Sequence, residues 1–456
     1  MNPSPPAAGL LPEPIPAAEA EVVGLLQDLI RIDSSNYGDG TGPGEAETAE
    51  FVASRLRDVG IDAETIECGP RRTAVVARIA GLNPDRDALL LHGHLDVVPA
   101  QSRDWSIPPF AAEIAADPAV SGEAAEMVWG RGAVDMKDMD AMIMAIIRAW
   151  AVEGVQPDRD IVVLFLPDEE AGGRHGSHWL VDNRPDIFRG VTEAVGEVGG
   201  FSFTVHDDLR LYLIQTAERG IAWMKLTAAG QAGHGSLPND DNAVTALCEA
   251  VARVGRHKFP VHVTSTVRDF LAALSESTGI ELNADDMDST LARLGPLARV
   301  VGASLASTAN PTMLTAGYKQ NVIPGEATAF IDGRFLPGYE EEFFAEIDAA
   351  LGPDVVREFV EHQVALETTF DGPTIDVMAA ALRAEDPGAR AVPYMLFGGT
   401  DAKAFSRLGI RSFGFAPLML PPSLDFGSLF HGVDERVPVS ALHFGVRVLD
   451  RFLRAC

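Results

Sequence analysis

Apolar residues in the first half of the chain follow two alternating spacings. Over residues 19–32, Val22, Val23, Leu26, Leu29 and Ile30 recur three or four positions apart, which predicts a helix. A polar, glycine-rich stretch over 33–44 follows, then a second helix over about 45–59, with Gly60 where a helix C-cap belongs. Short apolar runs then appear at 73–79, 88–98, 161–166 and 191–195, and a long helical pattern covers 136–152. Near-continuous apolar strands alternating with helices predict a mostly parallel sheet buried on both faces, an α/β fold.

The texture changes near Thr216. Residues 221–229, 327–334 and 355–361 read as strands, and 242–254 and 340–351 as helices; together they form an antiparallel α+β unit. Between them, 266–314 reads as mostly helical or irregular, an insertion. After about 368 the α/β rhythm returns, with helices at 374–384 and 439–453. The expected organisation is a tail over 1–19, a catalytic domain over 20–216 and 368–456, and a domain over 217–367 inserted into it.

Composition narrows the class. Apolar residues make up 46% and charged residues 22% of the 456, the balance of a globular protein. No stretch approaches the ~20 apolar residues of a membrane span. The Pro- and Ala-rich start carries no Lys or Arg, so it lacks the basic region of a secretory signal. Cys68, Cys248 and Cys456 are far apart and odd in number, which suggests neither a disulfide framework nor a cysteine metal knuckle. A reducing, cytoplasmic setting is expected. A net charge of −30 opposes binding to nucleic acid or to an anionic membrane.

Five segments carry candidate chemistry. His92-Gly93-His94-Leu95-Asp96 ends an apolar run; in a strand His94 and Asp96 would share a face, so the carboxylate could orient a metal-binding imidazole. Asp135 stands where a Gly-bearing loop enters the 136–152 helix, as a plain N-cap or as a bridge between two cations. Asp168-Glu169-Glu170 follows the run 161–166, either as a surface turn or as acids neutralised by something positive. Glu197 follows 191–195, and His431 lies before the last helix. Together His94, Asp135, Glu170, Glu197 and His431 form a ligand set for borderline divalent metals. Two metals sharing Asp135 would divide the rest as His94 with Glu197 and Glu170 with His431. A water between them would have its pKa lowered towards ~7, and Glu169 could carry its proton to a leaving nitrogen.

Taken in order, these segments resemble the two-zinc aminoacylase and carboxypeptidase family, which includes glutamate carboxypeptidase, acetylornithine deacetylase and succinyl-diaminopimelate desuccinylase. The resemblance implies a zinc-exopeptidase catalytic domain with an inserted lid and dimerisation domain. It implies two Zn2+ ions, with Co2+ or Mn2+ as substitutes, on the ligands named above. Asp96 would orient His94, and Glu169 would act as general acid and base. Gly230 to Pro238 resembles the family's lid motif, in which His234 would stabilise the oxyanion, often from a partner subunit; alone, His234 reads as an ordinary loop histidine. Asn321-Val322-Ile323-Pro324 and Asp332-Gly333-Arg334 resemble the segment that binds a substrate carboxylate, although Arg334 also reads as a surface arginine. Gly398-Gly399-Thr400-Asp401 resembles a pocket-lining loop. The 266–314 insertion resembles the branch with carboxypeptidase S and the N-acyl amino acid hydrolases. His92, His175 and His178 fall at positions that the family does not use and read as structural.

The implied function is hydrolysis of an N-acyl amino acid or of a C-terminal peptide bond. The implied partners are a small carboxylate-bearing substrate and, through the lid, a second copy of the chain. A dipeptidase acting on free amines is an alternative. An inactive binding paralogue is another, but it would have lost a ligand or the proton carrier, and all are present. A serine hydrolase is disfavoured, since Ser236 lies in no Gly-x-Ser-x-Gly elbow.

Overall fold

The computed structural model describes residues 11–206, 208–294 and 297–456, and they divide into two compact units. The first comprises the chain up to Thr216 with Phe370–Tyr394 and Thr400–Cys456. Its sheet runs Ala63–Gly69, Arg72–Ile79, Ile161–Leu166, Ala88–His94, Val191–Gly196, Arg411–Gly414 and Leu209–Glu218. The four strands from Ile161–Leu166 to Arg411–Gly414 are mutually parallel, whereas the margins pair antiparallel.

The central strands are apolar throughout because both their faces are covered. Leu89, Leu91, Val163 and Phe165 pack with helices Pro16–Arg31, Lys137–Glu153, Pro373–Glu385 and Val439–Ala455. Leu90, Val162, Leu164 and Leu166 pack on the other side with Leu180, Phe188 and Phe405. Parallel strands bring their carboxyl ends to one edge, where open α/β sheets place their sites.

The second unit, Ala217–Thr369 with Met395–Gly399, holds an antiparallel sheet in the order Thr308–Ala316, Glu326–Phe335, Gly220–Ala229, Val355–Gln363. Helices Ala243–Arg256 and Glu340–Leu351 bury one face of it around Met224, Leu226, Ile331 and Phe343. The first starts on Asn242, whose side chain accepts from Val244 N at 2.9 Å.

Two expectations are corrected and a third is refined. The strand expected over 88–98 ends at His94, because beyond it Val97 bonds to Ser34 of the loop after the first helix. The inserted 266–314 region is mostly helical or irregular where it is described, as expected, but it ends on a strand, Thr308–Ala316. It is an edge strand with most of its side chains exposed and a register shift at Pro311, so it lacks the buried alternation that marks a strand. The expected tail is docked where it is described. Leu11, Ile15 and Ala18 are buried, and Ile15 N donates to Asp450 Oδ2 at 3.0 Å; residues 1–10 lie outside the described residues. No helix among the described residues is long and apolar enough to cross a membrane, and all three cysteines are free.

Candidate metal centre

Three of the sequence-derived ligand candidates stand at carboxyl ends of the parallel strands. His94 is the last residue of Ala88–His94, Glu170 lies in the turn after Ile161–Leu166, and Glu197 directly follows Val191–Gly196. Asp135 sits in the tight loop before helix Lys137–Glu153, but it does not cap that helix: the N-cap is Met136, with no side-chain hydrogen bond. His431 adopts a left-handed conformation (φ 57°) in the loop before the last helix.

The structure brings these five together. His94 Nε2 lies 3.1 Å from Asp135 Oδ1 and 3.2 Å from Glu197 Oε2. His431 Nε2 lies 3.2 Å from Asp135 Oδ2 and 3.1 Å from Glu170 Oε2. The two oxygens of Asp135 thus serve separate imidazole–carboxylate pairs. Glu169 Oε2 is 4.0 Å from His94 Nε2, beside the first pair. All but His431 are largely buried.

Electrostatics set these groups apart from ordinary ion pairs. Burial opposes charge on His94, but the carboxylates of Glu197 and Asp135 outweigh it and raise the imidazole well above its usual range. His431 is pushed up to about 10 by hydrogen bonds to Asp135 and Glu170. Burial and then Asp135 lift Glu170 to about 7, and burial and then Glu197 lift Glu169 well above the carboxylate range. Asp135 shifts the other way: burial works against its charge, yet hydrogen bonds from His431 and His94 hold it below the usual range.

Four carboxyl groups therefore face two imidazoles; with all four ionised, protonating both rings would still leave two negative charges in a buried space, and the upward shifts of Glu169 and Glu170 reflect that cost. Such an excess is costly unless cations neutralise it. The donor set suits divalent cations. Ligands at ~2.0–2.1 Å on a tetrahedron lie ~3.3 Å apart, close to the four imidazole–carboxylate spacings. Ligand atoms of His94, Asp135 and Glu170, and separately of His94, Glu169 and Glu197, lie within 4.8 Å of one another. Glu170 Oε1 is buried without a hydrogen-bond partner among the described residues. The residues fit a metal centre.

Asp96 differs in detail from the expectation. Because the strand stops at His94, the His94 Nδ1 contact goes to the backbone carbonyl of Asp96 at 2.9 Å, and the carboxylate is 3.7 Å away. That carboxylate instead accepts from the backbone N–H groups of Glu169 and Glu170, each at 3.1 Å. His92 is buried edge-on to Phe405, its pKa lowered to about 3 by burial and then His94. A Cβ at Gly196 would lie 2.2 Å from its ring, so the strand end accommodates His92 only with glycine there.

The remaining candidates belong to the second unit, apart from Thr400. His234 and Asn321 are exposed neighbours on one small ribbon: Gly233–His234 pairs with Val322–Ile323, and Gly235 N donates to Asn321 O at 2.9 Å. Arg334 is paired through Nε and Nη2 with Asp332, at 2.7 and 3.2 Å. Thr400 is buried and its hydroxyl accepts from Ala402 N at 3.2 Å, while Gly399 is half-buried before it.

Several residues of the site escaped the sequence reading. Glu435 accepts from Val134 N at 2.7 Å and Asp135 N at 3.2 Å and pairs with Arg131 at 2.5 Å, tying the Asp135 loop to the His431 loop. Its signal was adjacency to His431. Asp140 is wholly buried with both oxygens unpartnered among the described residues, and a Cβ at Gly93 would lie 2.2 Å from its Oδ1. An acid inside the apolar stripe of the 136–152 helix was the available clue. Asn36 and Arg72 gave none.

The family model described as peptidase family M20/M25/M40 matches residues 90–455. Aminoacylase-1 of Sus scrofa is 28% identical over 421 residues, covering 89% of this chain and 88% of its own. Probable carboxypeptidase S-like 2 of Dictyostelium discoideum is 26% identical over 383 residues, covering 79% and 70%. Among solved structures, the Saccharomyces cerevisiae di-peptidase Dug1p superposes with a TM-score of 0.70 at 14% identity, covering 97% of this chain and 98% of that one. A dinuclear metal binding peptidase of Bacillus subtilis from the M20 family gives 0.60 at 13% identity, covering 96% and 98%. These two likenesses concern the fold. The match over 90–455 takes in every residue of the cluster, and the chain belongs to peptidase family M20/M25/M40, a hydrolase of the metallopeptidase and amidohydrolase type.

Proposed function

We propose that this chain cleaves the amide bond of an N-acyl amino acid or the C-terminal peptide bond of a small peptide, using two Zn2+ ions. The observation that carries the reading is the division of Asp135, one oxygen 3.1 Å from His94 and the other 3.2 Å from His431. That arrangement suits a carboxylate bridging two cations, one held with His94 and Glu197, the other with Glu170 and His431. The aminoacylase and carboxypeptidase S-like relatives support the substrate class.

When bound, the cations supply Lewis acidity and a water whose pKa falls towards ~7. The chain's own groups do the rest. Glu169, as its carboxylate, takes a proton from the attacking water and returns it to the leaving nitrogen; burial and Glu197 raise its affinity for that proton, and a cation beside it is needed to keep it ionised beforehand. Asp96 fixes the turn that carries Glu169 and, through its carbonyl, the His94 ring. His234 is assigned to the oxyanion. Its Nδ1 accepts from Ser236 N at 3.3 Å, which puts the ring proton on Nε2 and makes that atom a donor. Arg334, Asn321, Gly399 and Thr400 are assigned to the substrate. Asp332 takes Nε and Nη2 of Arg334 and leaves its Nη1 side for a carboxylate. The segment 217–367 is assigned as lid and dimerisation domain.

A hydrolysis screen over N-acyl amino acids and dipeptides, with chelation and Zn2+ add-back, tests the reading. Turnover of N-acyl amino acids that chelation abolishes and zinc restores is expected. Preference for free-amine dipeptides would move the function to a dipeptidase, and turnover indifferent to chelation would end the metal-dependent reading.

A further inference from the structure

The Asp96 carboxylate is wholly buried, and its hydrogen bonds lead away from the imidazole beside it. Oδ1 accepts from Glu169 N and Oδ2 from Glu170 N, each at 3.1 Å, and Oδ2 also accepts from Asn36 Nδ2 at 2.8 Å. Asn36 Nδ2 reaches a second acid as well, Asp168 Oδ1 at 3.2 Å, at the head of the same turn. On its other side Asn36 Oδ1 accepts from Arg72 Nη2 at 2.8 Å and Gly38 N at 3.0 Å. Arg72 is buried, pairs with Glu45, and lies 3.4 Å from Asp168.

We propose that Asn36, backed by Arg72, is a positioning residue that sets the Glu169–Glu170 turn through the carboxylate of Asp96. The inference rests on the two-metal reading above, in which Glu169 carries the proton and Glu170 holds one cation. A neutral amide is the side chain that this position requires. It donates to two buried acids at once and accepts from an arginine, so each of its polar atoms is used. An aspartate there would add a third negative charge, and an apolar residue would leave Asp96 and Asp168 short of a donor. The backbone fixes Asn36 independently: its N–H donates to Val97 O at 2.9 Å, and Ser34 Oγ donates to Leu95 O at 2.7 Å. The loop after the first helix is thereby latched to the strand end that carries His94. Loosening the latch frees the turn without touching a ligand side chain.

The test uses the full-length holoenzyme and two variants, Asn36→Ala and Arg72→Lys, with Asp386→Asn as a destabilised control away from the site. For Asn36→Ala, kcat should fall about 10–100-fold, the usual cost of losing a partner behind a metal site. KM should stay within about twofold, because ground-state binding is untouched. In a chelator titration, one ion should leave at about 10–100-fold lower chelator concentration while the other leaves as in the parent. Co2+ loading should report which site changes through its visible spectrum, and the one sharing Glu170 is expected. Arg72→Lys should move the same readouts in the same direction by less, and it carries the test if Asn36→Ala does not fold. Parental kcat and ion release in both variants would overturn the proposal. So would equal weakening of both ions, or losses that match those of Asp386→Asn at equal loss of thermal stability. A parent protein that takes up no metal would overturn the underlying reading instead, before any variant is compared.

Discussion

At Glu169, burial and the nearby Glu197 act in the same direction, and both favour the protonated carboxyl. Glu169→Gln keeps the shape and removes the proton carrier, so kcat should drop about 10²–10⁴-fold with the metal content intact. His234→Ala should also lower kcat, by about 10²–10³-fold for a lost oxyanion donor, with the metal again retained. Metal analysis beside steady-state kinetics checks both; parental turnover would remove either residue from its role, and metal loss in the His234 variant would make it a ligand. His94, Glu170 and Glu197 were readable because each stands at or just after the end of an apolar strand, where a polar residue is conspicuous. Asn36 was not readable. Its partners Asp96 and Asp168 are 60 and 132 residues away, and no local pattern encodes a hydrogen bond across such distances.

Among elements, the junction of helix Pro373–Glu385 with strand Leu209–Glu218 shows how a buried acid holds two pieces together. Asp386, the residue that caps the helix end, forms an ion pair with Arg210 and accepts from Tyr212 Oη at 2.9 Å and Gly388 N at 3.0 Å. Burial opposes its charge, but these hydrogen bonds prevail and hold its pKa below the usual value. A depressed carboxylate stabilises the fold fully above its unfolded pKa of ~3.9 and loses that contribution as pH falls through the native value. Asp386→Asn should therefore cost about 2 kcal/mol at pH ~7, with the gap to the parent closing below pH ~4. Denaturant midpoints at both pH values measure it, and an equal gap at both would contradict the linkage. The long helices and the central strands Ala88–His94, Ile161–Leu166 and Val191–Gly196 were legible in the sequence, since their periodicities are sustained and their strands largely apolar; Arg411–Gly414, short and half polar, was not. The strands Ser202–His206, Leu209–Glu218 and Ala389–Leu396 were not: polar residues interrupt their apolar pattern, and such mixed runs look alike whether they extend or coil.

Across the whole molecule, the acidic cluster links metal binding to stability. Ions that bind the folded chain and not the unfolded one raise its stability by RT ln(1 + [L]/Kd), about 4 kcal/mol at a thousandfold excess over Kd. Chelation should lower the calorimetric Tm by several degrees, and Zn2+ add-back should restore it. A Tm indifferent to both would mean that the cluster holds no metal. The change of texture near Thr216 was visible in the sequence because a parallel and an antiparallel sheet impose different polarity patterns; the pairing order of the strands was not. One pairing bears on biosynthesis. Strand Arg411–Gly414 lies between Val191–Gly196 and Leu209–Glu218, strands that leave the ribosome some two hundred residues before it. A nascent chain must keep that slot open while the intervening residues are made, so the sheet closes late, and a chaperone that shields its bare edges should raise the yield of native protein.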